Sequence, residues 1–272
     1  MTRFRGPCDS GSAALTAAHE DEGAEALTPW LPNRKPLAAP RLRLFCFPYA
    51  GGSVSAFQGW SEALPEGVEL CAVQPPGRER RLMERPFRRL PELLDALEPV
   101  LLPLLDKPFV LLGYSMGTRI ALALTQRWQE RGGPQPQGLV MCAAAAPHVS
   151  RPSRESLDDA RFLELLRNYE GTPPEVLAHR ELMELLLPVL RADFALSDTV
   201  LPTTPVRCPM SVWGGLEDPH VSSEELERWR ELSAGEFRIR RFPGRHFFLR
   251  THRDALLAAL HSELTGYLAR DP

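Results

Sequence analysis

The chain of 272 residues is 43% hydrophobic and 25% charged, enough apolar material for one large α/β domain or a domain carrying an inserted subdomain. A formal net charge of -3 argues against a nucleic-acid binder, whose domain would carry a strong positive excess, so a charged partner has to be met by a local patch. No stretch approaches the roughly 18 apolar residues of a membrane span, and the N-terminal residues after Arg3 and Arg5 are too mixed for a signal-peptide core. The five cysteines, Cys8, Cys46, Cys71, Cys142 and Cys208, show no metal-ligand spacing and read as reduced core residues; no metal and no cofactor are expected, and the expected compartment is the cytoplasm.

Residues 1–40 are rich in Ala, Gly, Ser and Glu and then in Pro, without periodicity, and are expected to form a flexible or loosely docked N-terminal extension. From Arg41 the texture changes. Residues 42–47 read as a strand ended by Pro48-Tyr49-Ala50-Gly51-Gly52-Ser53, helical material is expected to about Leu64, and residues 68–73 read as a second strand running into Gln74-Pro75-Pro76-Gly77-Arg78-Glu79-Arg80-Arg81. Helical spacing follows over 90–105. Residues 109–112 are a short buried strand, residues 116–128 a helix, and residues 138–144 the next strand.

Strands and helices alternating at this length predict a mostly parallel sheet covered on both faces, with the active site at the strands' C-terminal ends. After Pro147 the rhythm breaks: residues 150–204 hold helical segments near 160–169 and 180–196 but no strand, and are expected to be a helical lid inserted into a core of 41–149 and 205–272. The sheet resumes at 210–213 and 237–242, and a helix over 253–268 closes the chain.

The centre of the pattern is Gly113-Tyr114-Ser115-Met116-Gly117. A Gly-x-Ser-x-Gly between a strand and a helix holds a serine on a strained turn with its hydroxyl exposed. A serine hydroxyl needs a base, and an imidazole serves best when an acid fixes its tautomer. On an α/β-hydrolase the order is serine, acid, histidine. His148 and His179 precede the expected acid, His252 and His261 belong to the last helix, and His220 follows the acid too closely to turn back on it. His246, just after the last strand, is therefore the expected base. The loop after the strand at 138–144 holds no carboxylate, whereas Trp213-Gly214-Gly215-Leu216-Glu217-Asp218-Pro219 holds two, of which Asp218 is preferred over Glu217. Asp193 and Asp198 are expected to cap or solvate helices of the lid. For the oxyanion the expected donors are the backbone N–H of Met116 and one from the glycine-rich loop at 49–52, with Ala50 first and Tyr49 second.

Five motifs, Phe45 to Ser53, Gln74 to Glu79, Gly113 to Gly117, Gly214 to Pro219 and Gly244 to Leu249, stand in the order and spacing of the type II thioesterases, the stand-alone enzymes of polyketide and nonribosomal peptide synthases. The resemblance covers about residues 41–265. It implies an α/β-hydrolase fold, a Ser115-Asp218-His246 triad, and hydrolysis of acyl groups from the phosphopantetheine arm of carrier proteins. It further implies a mobile lid, whose apolar residues, including Phe162, Leu165, Leu166, Leu186, Leu190 and Phe194, read either as contacts to acyl chain beside Tyr49 or as packing within the lid's own core. The cluster from Arg78 to Arg81 reads either as a surface for an acidic carrier or as solvated charge. A monomer is the default expectation. The alternatives are a small-molecule esterase or acyltransferase on the same fold, and a non-catalytic protein that binds synthase modules.

Overall fold

A computed structural model describes residues 28–149 and 152–270. Six strands form one sheet: β1 (Leu42–Phe47), β2 (Val68–Ala72), β3 (Phe109–Tyr114), β4 (Gly138–Cys142), β5 (Met210–Gly215) and β6 (Phe237–Phe242), in the spatial order β2-β1-β3-β4-β5-β6. Every neighbouring pair is parallel. Because β1 sends the chain to β2 on one side and the sheet continues through β3 on the other, the order reverses between β1 and β3, where the strand ends leave a crevice for ligands.

Period-two alternation divides each inner strand between two cores. On one face Phe45, Phe47, Leu111, Leu139 and Met141 pack with α1 (Leu90–Leu101) and α2 (Met116–Glu130). On the other, Leu44, Cys46, Val110, Leu112, Val140 and Cys142 pack with Phe57, Trp60 and the closing helix, Arg253–Leu268. Cys46, Cys71, Cys142 and Cys208 are buried free thiols; burial pushes the Cys208 thiol up to about 12. Cys8 lies outside the described residues. Among the described residues no helix is long and apolar enough to cross a membrane.

Between β4 and β5 lie α3 (Asp159–Tyr169), α4 (Pro174–Ala178) and α5 (Arg180–Ser197). Asp158 caps α3 by accepting from the Arg161 N–H, and the His179 ring caps α5. These helices share a small apolar core of their own, Phe162, Leu166, Leu177, Met183, Leu190 and Phe194. A short helix, α6 (Ser223–Glu227), follows β5; α7 (Phe248–Thr251) and the closing helix α8 (Arg253–Leu268) follow β6.

Two regions depart from the sequence reading. The helix expected up to Leu64 is a pair of 3-10 turns, Val54–Phe57 and Ser61–Ala63, interrupted by Gly59 at φ 71°, a left-handed conformation that an α-helix cannot carry through. Of the expected N-terminal extension, residues 1–27 lie outside the described residues, while the part from Thr28 on is seated against β2. Trp30 and Leu31 are buried, the Trp30 carbonyl accepts from the Gln74 N–H, and the Arg34 guanidinium meets the Glu69 carboxylate at 2.7 Å. Trp30 and Arg34 thus fasten this segment beside β2, the edge strand of the sheet.

Candidate active site

Ser115 stands where β3 turns into α2, at φ 52° and ψ -110°, a conformation that side-chain-bearing residues avoid. The surroundings over-determine it. Its N–H donates to the Cys142 carbonyl at 2.8 Å, and its carbonyl accepts from both the N–H and the hydroxyl of Thr118. The two flanking glycines are there for space: a Cβ on Gly113 would lie 2.5 Å from the Gly117 backbone, and one on Gly117 would lie 2.1 Å from the Phe47 carbonyl oxygen. Strand and helix thus close on each other with the serine at the apex.

His246 and Asp218 reach it from the ends of β6 and β5. Gly215 lets these two loops touch, since a Cβ there would fall 2.5 Å from the Gly244 carbonyl, and the Glu217 N–H donates to that same carbonyl. His246 Nδ1 is 2.8 Å from Asp218 Oδ2, and His246 Nε2 is 3.1 Å from Ser115 Oγ. An ionised carboxylate only accepts, so the ring proton belongs on Nδ1 and Nε2 is free to accept from the serine hydroxyl. The second Asp218 oxygen accepts from the His220 N–H at 2.8 Å, and the Asp218 side chain is fully out of solvent. Glu217 is exposed on the same loop.

Several contacts around this chain had no sequence signal. Tyr169, at the end of α3, packs its ring edge-on to His246 at 5.2 Å and stacks on His220 at 3.8 Å, and its hydroxyl accepts from Arg154. The inserted helices therefore roof the imidazole. Burial, with the neighbouring His246 adding to it, lowers the His220 pKa from its ordinary value, against the opposing pull of the Asn168 carbonyl and Asp218. Tyr114, inside the serine motif, is fully buried, and its hydroxyl donates to the His246 carbonyl.

The expected oxyanion donors are Met116 and Ala50. Met116 opens α2, whose first N–H groups have no intrahelical acceptor, and Ala50 lines the same cavity as Ser115 and His246. Tyr49, Leu166, Leu190 and Phe194 line that cavity as well. Phe162 does not: it is fully buried against Phe194 with Arg191 over its other side, so it packs on the insertion's own core instead of facing ligand.

Burial corrects the reading of several charges. Asp193 neither caps nor solvates α5; it is buried and holds Arg78 in a two-pronged ion pair. Asp198 pairs with Arg154, which leans over Phe194 and lines the cavity. In the arginine cluster, Arg81 is buried under Trp30 at 4.2 Å and bonded to Glu84, which leaves Arg80 as its exposed cation.

A parallel sheet with a strained strand-to-helix serine, an acid after β5 and a histidine after β6 defines an α/β-hydrolase. Residues 42–264 match the profile of the thioesterase domain. The chain is 36% identical over 244 residues to the gramicidin S biosynthesis protein GrsT of Aneurinibacillus migulanus, covering 88% of this chain and 95% of GrsT. Thioesterase PikA5 of Streptomyces venezuelae is 33% identical over 225 residues, covering 81% of this chain and 80% of its own length. Among solved structures, the RedJ thioesterase from the prodiginine biosynthetic pathway of Streptomyces coelicolor superposes with a TM-score of 0.74 at 36% identity, covering 86% of this chain and 98% of RedJ. The chain belongs to the thioesterase family, and it is a hydrolase acting on thioesters.

Proposed function

We propose that this thioesterase hydrolyses acyl groups from the phosphopantetheine arm of carrier proteins in peptide or polyketide assembly, with Ser115 as nucleophile, His246 as base and acid, and Asp218 orienting the imidazole. The observation that carries the reading is the unbroken hydrogen-bonded chain from Asp218 through His246 to Ser115, at 2.8 and 3.1 Å. Relatives named for gramicidin S and prodiginine biosynthesis support the carrier-bound substrate.

In the proposed cycle Ser115 Oγ attacks the thioester carbonyl while its proton passes to His246 Nε2, and Asp218 stabilises the imidazolium. The N–H groups of Met116 and Ala50 receive the oxyanion, each such donor typically contributing a factor of about 10² to 10³ in rate. As the carbonyl re-forms, the C–S bond breaks and the pantetheine sulfur takes the proton from His246. Water then gives a proton to the same nitrogen and attacks the acyl-serine; collapse returns that proton to Ser115 and frees the carboxylic acid. A thioester suits this site because its sulfur leaves readily and its carbonyl has little resonance stabilisation to lose.

Helices α3 to α5 act as the lid over a core of 41–149 and 205–272, with Tyr49, Leu166 and Phe194 against the acyl chain. One copy holds every group these steps use, so the proposed working unit is a monomer. The test is hydrolysis of one acyl group presented on a carrier protein, on N-acetylcysteamine and as an oxygen ester. Carrier-bound thioester as the best substrate supports the reading. A preference for the oxygen ester, or indifference to the carrier, points to a small-molecule esterase and contradicts it.

A further inference from the structure

The loop that supplies the second oxyanion donor is held from below by charge. Asp193, on α5, accepts the Gly51 N–H on Oδ2 at 2.7 Å, and the same oxygen takes Arg78 Nη1 at 2.7 Å while Oδ1 takes Nη2 at 2.8 Å. Arg78 Nη1 also donates to the Gly52 carbonyl at 3.0 Å. Two residues further on, the Val54 N–H donates to Gln74, whose side-chain amide in turn donates to the Arg78 carbonyl. Both charged side chains are almost wholly out of solvent. The fit at Gly51 is also steric: it has φ 75°, and a Cβ there would come within 2.7 Å of Leu190, one turn before Asp193 on α5. The backbone around Ala50 is thus fastened both to α5, a helix of the insertion, and to the loop after β2.

We propose that the Arg78–Asp193 pair is a positioning device for the oxyanion loop, so that the hole is complete only when α5 is docked. The proposal rests on the acyl-transfer reading above. Neither residue needs to touch substrate: the carboxylate fixes the Gly51 peptide, the guanidinium fixes the Gly52 peptide, and between them they set the direction of the Ala50 N–H. An ion pair removed from water is a poor source of net stability, but its geometry is strict because either partner left alone is costly. That strictness suits a latch between a covering helix and a catalytic loop. A donor displaced by about an ångström is weakened in the transition state and matters little to the bound ground state.

The experiment is steady-state hydrolysis of an acyl-N-acetylcysteamine by the full chain carrying Asp193→Asn, Asp193→Glu or Arg78→Lys, beside the wild type and Ser115→Ala, with circular dichroism and gel filtration for fold. Asp193→Glu keeps the charge pair but shifts the acceptor away from Gly51, and so separates the ion pair from the positioning. The expected result is a fall in kcat of about 10²-fold for Asp193→Asn and Asp193→Glu, with KM within about threefold, and a smaller fall for Arg78→Lys. A folded Asp193→Glu with full kcat, or with the loss confined to KM, overturns the proposal; loss of fold in all three variants makes the pair purely structural and overturns it too. If the wild type does not turn over, or Ser115→Ala retains full activity, it is the underlying acyl-transfer reading that fails.

Discussion

The hydroxyl of Tyr114 donates to the backbone carbonyl of His246 across 2.5 Å, so the residue before the elbow serine anchors the loop that carries the histidine. Burial pushes the phenol far above its ordinary range, and it remains a donor at every pH the protein meets. Tyr114→Phe keeps the ring in its packing against Phe248 but leaves the His246 carbonyl without this donor. The expected cost is about 1–3 kcal/mol of stability and roughly a tenfold loss of kcat at unchanged KM, read by denaturant unfolding and steady-state kinetics. Unchanged stability and unchanged kcat would remove the anchoring role.

The elbow itself has no room for a methyl group. Gly117→Ala places a Cβ 2.1 Å from the Phe47 carbonyl oxygen; the Cβ has no rotamer freedom, and the carbonyl is strand backbone that cannot swing aside. The substitution is expected to lose more than about 4 kcal/mol or to abolish soluble expression, the size of effect reserved for forced overlap in a packed core. Thermal unfolding of Gly117→Ala beside Gly132→Ala, a position with no atom within 4 Å of the added carbon, checks it. At Gly132 the remaining cost is only that of its positive φ. Equal melting temperatures for the two variants would contradict the packing argument.

What could be read from the chain follows from how local each signal is. The apolar runs at 42–47 and 109–112 mark buried strands without reference to anything distant, and the glycines around Ser115 announce a close approach by their lack of side chain. Asp218 and His246 were legible because the order of groups along an α/β-hydrolase leaves few places for them. Asp193 was not: its partner Arg78 lies 115 positions away, and a charged residue on a helix reads as solvated until the fold buries it. The same holds for Arg81, which has the composition of a surface and the burial of a core residue. Tyr169 covers His246 only because α3 is carried back over the sheet, and no spacing within α3 records that.

Glu69 gives the fold a dependence on acid. Burial alone would raise its pKa, but the Leu37 N–H and the guanidinium groups of Arg34 and Arg43 outweigh this and hold it below the usual carboxylate value. A carboxylate depressed in the folded state contributes fully above its unfolded value of about 4.3, and the contribution is lost as pH falls through the lower folded value. Glu69→Gln is therefore expected to be less stable than wild type by about 3–5 kcal/mol at pH 7, with the gap narrowing below about pH 4. Urea midpoints for both proteins between pH 7 and 3 measure it. A gap that stays constant over that range would show that the charge of Glu69 contributes nothing.

The central claim is that one hydroxyl does the chemistry, and the direct measurement is kcat for Ser115→Ala on an acyl group carried as a thioester by a carrier protein. Ser115 is held by backbone contacts that alanine keeps, so the variant is expected to fold. The account predicts a loss of at least about 10³-fold in kcat, with the carrier-bound substrate still binding. Hydrolysis at the wild-type rate by Ser115→Ala would contradict it.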